Sequence, residues 1–207
     1  MTRSTGGGCD DQTNAGGGVD TSEGGAGDDS INAGDGNETS KGGDGNDTYR
    51  FSVADWGRDT VKDTAIPDED PGTGNAVAIG DCFCVPAIPL TPVTIDLASK
   101  PGSPEVKNAA GTSTANWSGN IIDNVIAWNS ANDTIIGNDA ANHIFSDTPV
   151  HASRHDQDTV SAGGGDDVDD IGGDGVGDVV DCGDGSDTVH HDTGDTVTNC
   201  ENEIIEP

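Results

Sequence analysis

A nine-residue period runs unbroken from residue 6 to residue 50, and no other feature constrains the fold of this chain as tightly. Its units read GGGCDDQTN, AGGGVDTSE, GGAGDDSIN, AGDGNETSK and GGDGNDTYR. The second place is always glycine, at Gly7, Gly16, Gly25, Gly34 and Gly43; the sixth is always acidic, at Asp11, Asp20, Asp29, Glu38 and Asp47. With roughly one residue in five acidic, these in-phase acids arise by chance with a probability on the order of 10⁻⁴, so the period is real.

A second, less regular block follows. WNSANDTII from Trp128 and GNDAANHIF from Gly137 are in phase, an insertion breaks the register, and SRHDQDTVS from Ser153 and AGGGDDVDD from Ala162 resume it. After a short slip it continues in GDGVGDVVD from Gly173 and CGDGSDTVH from Cys182. The sixth place here holds Asp133, Asn142, Asp158, Asp167, Asp178 and Asp187. Residues 65–120 carry no repeat and most of the prolines, and the alternation Val93, Ile95, Leu97 predicts one ordinary strand there. The expected organisation is an N-terminal repeat block over 6–64, a connecting segment over 65–120 and a C-terminal repeat block over 121–200.

In GGxGxD the glycines serve a tight turn that needs positive φ or close backbone approach, and the aspartate ends it with an acceptor-only carboxylate. The triplet that follows forms a short strand whose middle residue points inward. Two units make one coil, coils stack, and each turn's carbonyls and aspartate face those of the next. The expected fold class is all-β, a parallel β-roll or β-helix solenoid built from two repeat blocks with an irregular connecting segment. Such rows of oxygens suit Ca²⁺, which takes about six to eight oxygen ligands at flexible angles, whereas Mg²⁺ demands a stricter octahedron and zinc prefers nitrogen and sulfur.

Only 30% of the chain is hydrophobic and 3% aromatic, too little for a large apolar core. With 8 Lys plus Arg against 39 Asp plus Glu, the formal charge of -31 repels phosphate backbones and anionic membrane surfaces. Nucleic acid and membrane insertion are therefore not expected. Low hydrophobicity with high charge is by itself the composition of a disordered chain, an expectation that divalent cations reverse.

GGAGDDSIN and GGDGNDTYR resemble the repeats-in-toxin (RTX, hemolysin-type) nonapeptide GGxGxDxUx, a calcium-binding repeat. The resemblance implies several Ca²⁺ ions held between adjacent turns by loop carbonyls, here those of Gly24, Ala26, Gly42 and Asp44, and by sixth-place carboxylates. Asp29 and Asp47 lead that set; Asp11, Asp20, Asp158, Asp167, Asp178 and Asp187 follow, with Glu38 as a longer variant. It also implies a secreted, extracellular protein, although the N-terminus MTRSTGGG lacks the apolar stretch of a secretory signal. NVIAWNSANDTIIGNDAAN, from Asn124, resembles the segment that opens the repeats of secreted serralysin-like proteins. Trp128, Asn129 and Ala131 stand there where glycine is usual, so the Asp133 turn is expected to be ordered without binding metal.

The inward eighth place reads Thr13, Ser22, Ile31, Ser40, Tyr49 in the first block, a weaker core than Ile135, Ile144, Val160, Val180 and Val189 in the second. Cys9 replaces a loop glycine and Asp169 occupies an inward place, so the coils at Gly6 and Ala162 are expected to be the least secure. The odd set Cys9, Cys82, Cys84, Cys182 and Cys200 leaves at least one cysteine without a partner inside the chain. Cys182 and Cys200 stand one two-unit coil apart, and DCGDGSDTV followed by TNCE resembles a paired ending. The expectation is a disulfide closing the last coil, the alternative being two buried free thiols.

Zinc is not expected: the four-residue spacing of His151 and His155 helps only on a helix, and His190 and His191 merely adjoin. Trp56, Trp117 and Trp128 read as caps or core rather than as a stacking platform. No HExxH, GxSxG or GxxxxGK occurs, so no enzyme is expected in this chain. The function expected is a Ca²⁺-dependent secreted structural or interaction module. The alternatives are the noncatalytic C-terminal part of a secreted hydrolase, such as a serralysin-like metalloprotease, and an adhesin segment.

Overall fold

Short triplets with an apolar or small centre, bounded by glycine-rich turns, favour strands over helices, and the described chain is all-β. The computed structural model describes residues 3–51, 56–63, 74–79, 92–98, 105–110, 114–116, 122–127, 131–146, 156–172 and 175–205. Cys82, Cys84, Trp117, Trp128, Asn129, His151 and His155 lie outside these residues.

The chain alternates between two sheets. The larger, 11-stranded, runs from neighbour to neighbour through Arg3–Thr5, Thr21–Ala26, Thr39–Asp44, Arg58–Lys62, Thr114–Asn116, Glu105–Asn108, Val93–Asp96, Thr134–Ile136, Thr159–Gly164, Val179–Asp184 and Thr196–Thr198. The 9-stranded sheet runs through Gln12–Asn14, Ser30–Asn32, Thr48–Phe51, Ala76–Ile79, Asn124–Ala127, His143–Phe145, Val168–Asp170, Thr188–His191 and Asn202–Ile205. Gly17–Gly18 and Asp35–Gly36 form a small third pair. Each return to a sheet keeps the same direction, so neighbours are parallel; the exceptions are the pairings of Glu105–Asn108 with Val93–Asp96 and with Thr114–Asn116. One circuit through both sheets takes 18 residues in the first block, which sets Thr21 beside Thr39 and Ser30 beside Thr48.

Burial alternates along most of the repeat strands, as a period of two with one face covered requires. Inward residues of both sheets share one core: Ile31, Tyr49, Phe51, Val77, Val125, Ile144 and Val189 from the smaller, and Val61, Ile95, Val106, Ile135, Val160 and Val180 from the larger. Trp56 is fully buried in it beside Phe51. In the first circuits Thr13, Ser22 and Ser40 are buried instead, their hydroxyls without hydrogen-bond partners. Asp169 is fully buried, level with Ile144 on one side and Val189 on the other.

The connecting segment holds more strand than its sequence predicts. Val93, Ile95 and Leu97 are all buried on or beside Val93–Asp96, but the segment also forms Glu105–Asn108 and Thr114–Asn116 in the same sheet and Ala76–Ile79 in the other. Ala76–Ile79 is buried on both faces and so shows no alternation, while Glu105–Asn108 buries only Val106 and Asn108. Through these strands both sheets run on from the first repeat block to the second.

Cys182 and Cys200 form a disulfide with Cα atoms 5.2 Å apart. The last circuit is shorter than a two-unit coil: Val179 sits beside Thr196 and Asp181 beside Thr198, which puts Asn199 level with Cys182. Asn199 takes a left-handed conformation, φ 53°, immediately before Cys200. Cys9 is free and exposed.

Candidate metal centre

Glycine sets the spacing of the turns. Gly25 and Gly43 have φ of 129° and 128°, and a Cβ on them would stand 2.2 Å from Gly7 O and 2.0 Å from Gly25 O respectively. Any side chain at those places would force successive turns apart.

Along both edges of the sheets, sixth-place carboxylates form ladders. On one edge the amide of Asp11 donates to Asp29 Oδ1 at 2.8 Å and that of Asp29 to Asp47 Oδ1 at 2.8 Å. Asp47 donates in turn to Asn75 Oδ1 at 2.7 Å. The same edge resumes with Asn142 to Asp167, Asp167 to Asp187, and Asp187 to Glu201. On the other edge the bonds run from Glu38 to Asp59, and then from Asp133 to Asp158, Asp158 to Asp178, and Asp178 to Asp195. The bonded residues lie 18 apart in the regular block and as much as 28 apart elsewhere, so insertions loop out while the ladder persists.

Each rung uses one carboxylate oxygen. The other, Oδ2 in Asp29, Asp47, Asp158, Asp167 and Asp187, is buried and accepts no hydrogen bond. Two of these oxygens face the glycines that open their turns: Asp29 Oδ2 lies 2.1 Å from where a Gly24 Cβ would stand, and Asp47 Oδ2 1.8 Å from that of Gly42. Backbone oxygens share such spaces, as Gly24 O and Asp11 Oδ2 do beside Gly6, at 2.2 and 2.7 Å. Gly18 O and Glu38 Oε1 do the same beside Gly36, at 1.7 and 2.5 Å.

Burial without a counter-charge raises the affinity of these groups for protons. It pushes Asp47 up to about 7, with the charges of Asp63 and Asp29 adding to the effect. Burial likewise lifts Asp167 to about 7, Asp59 to about 8 beside Glu38, and Asp158 to about 9. Glu38, Asp187 and Asp195 move in the same direction, chiefly by burial.

Buried carboxylate oxygens without donors, facing backbone carbonyls over glycine, are a donor set that fits Ca²⁺. Among the described residues no three His, Cys, Asp or Glu side chains gather into a metal-holding group. The ladders bring together Asp11, Asp29, Asp47, Asp158, Asp167, Asp178, Asp187 and Glu38, while Asp20 is buried on the Glu38 side. Gly24 and Gly42 open turns against these carboxylates. Ala26 donates its amide to Gly7 O at 3.1 Å, and the Asp44 carbonyl accepts from Gly27 at 2.8 Å, which leaves that carbonyl a second lone pair. Asp133 is buried and its Oδ1 accepts the Val93 amide at 2.8 Å.

Sequence reasoning missed Asp59, Asn75, Asp195 and Glu201 as ladder members. A signal for two of them exists: Asp59-Thr60-Val61 and Asp195-Thr196-Val197 repeat the Asp-Thr-apolar triplet of Asp158-Thr159-Val160 and Asp187-Thr188-Val189. In that triplet the threonine amide bonds the carbonyl of the preceding circuit's acid, as Thr60 does Glu38 and Thr196 does Asp178. His190 is half-buried and His191 buried on successive residues of one strand, so their side chains leave opposite faces and cannot chelate one ion together. The chain matches no model of a known protein family and no curated protein.

Proposed function

We propose that this chain is a calcium-binding module wound as a parallel β-roll, serving a secreted structural or interaction role rather than a catalytic one. One observation carries the reading: along both edges, ladders of buried aspartates keep one oxygen bonded to the neighbouring circuit and leave the other unpartnered, at Asp29 and Asp47 over the glycine that opens the turn. The alternation between sheets every half-circuit, the 18-residue register and the shared core support the roll. The resemblance of GGAGDDSIN and GGDGNDTYR to the RTX nonapeptide supports calcium as the ion, and with it two repeat blocks, 6–64 and 121–200, joined by 65–120. Asp29, Asp47, Asp158, Asp167 and Asp187 would hold the ions together with turn carbonyls, neutralising part of the charge of -31. Extracellular fluid, with abundant Ca²⁺, is the setting in which weak sites of this kind fill.

The test is a calcium titration of the full chain followed by far-ultraviolet circular dichroism and calorimetry. The expected result is a cooperative gain of β signal that Mg²⁺ at equal concentration does not reproduce. A full β signal in calcium-free buffer, or no heat of calcium binding, overturns the reading.

A further inference from the structure

The turns that open with Gly6, Gly24 and Gly42 stack along one edge, and after the third the stack runs out of glycine turns. Lys41 lies level with Lys62, so the residue level with Gly42 in the next circuit is Asp63. Earlier circuits have Gly24 and Gly42 in that place. The change shows in what crowds the missing side chain. Beside Gly6 a backbone carbonyl, Gly24 O, meets Asp11 Oδ2; beside Gly42 the two oxygens are Asp47 Oδ2 at 1.8 Å and Asp63 Oδ2 at 2.5 Å from the same point. A side-chain carboxylate has taken the place of the turn carbonyl.

Both carboxylates are fixed. Asp63 Oδ1 accepts the Gly43 amide at 3.0 Å, and its Oδ2 accepts the hydroxyl of Tyr49, which in turn accepts the Gly42 amide at 2.7 Å. Tyr49 is the single tyrosine of the chain and is buried. Asp47 Oδ1 is held by the Asp29 amide, whereas its Oδ2 has no donor although the residue has no exposed surface. Two like charges brought this close, Asp47 buried and Asp63 partly so, repel unless a proton or a cation stands between them.

We propose that Asp63 is a metal-ligating residue and that, with Asp47, it forms a terminal Ca²⁺ site of two carboxylates where the first run of turns ends. Tyr49 is the positioning residue that aims Asp63. The inference rests on the calcium reading of the turns. It adds a ligand outside the nonapeptide pattern and a site with twice the carboxylate charge of an ordinary turn, which makes it the tightest of its column.

Equilibrium dialysis of radioactive Ca²⁺ against the full chain tests it, with D63N and D63E beside the wild type. D63N is expected to reach the wild-type far-ultraviolet signal in saturating Ca²⁺ yet to bind one ion fewer, or to lose at least tenfold in the tightest step. D63E, which keeps a carboxylate, retains the count. An unchanged count and curve in D63N overturns the Asp63 site and leaves the turn sites standing. If D63N and D63E fail alike to fold in saturating Ca²⁺, Asp63 is structural and the site is again overturned. A wild-type chain that binds no Ca²⁺ overturns both readings together.

Discussion

The amide of Asp29 donates to Oδ1 of Asp47 at 2.8 Å, and this leaves Oδ2 of Asp47 buried over Gly42 without a donor. Asp167 and Asp187 repeat the bond at 2.8 Å in the second block, again with Asp187 Oδ2 unpartnered. In Asp29, Asp47 and Asp187 the two oxygens are thus placed differently. One holds the adjacent circuit in register; the other has no donor and, in the function proposed, takes a cation.

The two jobs separate by substitution. Asparagine keeps an Oδ1 for the ladder and lowers the charge, whereas alanine removes both. We expect D29N/D47N to weaken calcium binding at least tenfold while saturating Ca²⁺ still restores the wild-type far-ultraviolet signal. D29A/D47A should bind fewer ions and also fold less stably, by about 1–3 kcal/mol for each amide left without its acceptor. D133A is the comparison, since its turn lacks glycines; if it lowers the ion count more than D29A/D47A does, the ranking of sites is wrong.

Protons should partly replace calcium. Asp47 and Asp167 are raised to about 7, Asp59 to about 8 and Asp158 to about 9, against an ordinary value of 3.8, in each case chiefly by burial. A carboxyl with a raised folded value binds its proton more tightly when folded. Its contribution to stability is therefore full below pH about 4 and is lost as pH climbs through about 7 to 9. In calcium-free buffer the chain should gain β signal on acidification from pH 9 to 5, and calcium binding near pH 7 should release protons, measurable by calorimetry in buffers of different ionisation enthalpy. A flat circular dichroism signal over that range would count against buried carboxylates as the element that calcium stabilises.

The regular part of this architecture was legible because the period is short and each unit carries its own glycines and acid: Gly25 and Gly43 predict stacked turns, and they stack. Beyond residue 50 the geometry outlives the pattern. The ladder needs only an oxygen at the right height, so Asn75 and Glu201 serve in it although neither belongs to a nonapeptide. Loops between rungs can grow at slight entropic cost, which erases the period without disturbing the sheets. Asp63 was illegible for another reason: it stands at the first place of a unit whose other members are absent, and only the level of Lys62 with Lys41 brings it to Gly42.

Asp169 breaks the core rule, and its replacement should stabilise the chain. It is fully buried between the levels of Ile144 and Val189, neither carboxylate oxygen has a hydrogen-bond partner, and burial lifts it to about 8. D169V should raise stability by about 1–3 kcal/mol, since an unpaired buried polar group gives way to packed hydrocarbon. The gain should be larger at pH 9 than at pH 5, where the carboxyl is already neutral. Thermal unfolding in saturating Ca²⁺ at both pH values measures it; a lower midpoint in D169V at pH 9 would show that Asp169 has a partner of its own.

The last circuit is the least buried part of the C-terminal block, and the Cys182–Cys200 disulfide should hold it. Asn202–Ile205 is exposed along its length, with Ile204 and Ile205 at 45% and 60%, and it forms the open edge of its sheet. Among the described strands it is tied to one neighbour only, Thr188–His191, along which it pairs in parallel, with the Asn202 amide donating to Asp187 O at 2.9 Å and Glu201 Oε2 accepting from the Asp187 amide at 2.9 Å. Cys182 is fully buried in the core, so the disulfide anchors this edge to the interior. A bridge across a separation of 18 residues is worth about 3 kcal/mol, or on the order of 100-fold in an opening equilibrium. In C200S, amides of Thr196–Thr198 and Asn202–Ile205 should therefore exchange with deuterium about 100-fold faster than in the wild type under saturating Ca²⁺. Those of Thr134–Ile136, near the middle of the larger sheet, should be unaffected. Equal protection of the last two strands in C200S and wild type would mean that the carboxylate ladder from Asp178 to Asp195 and from Asp187 to Glu201 holds the edge unaided.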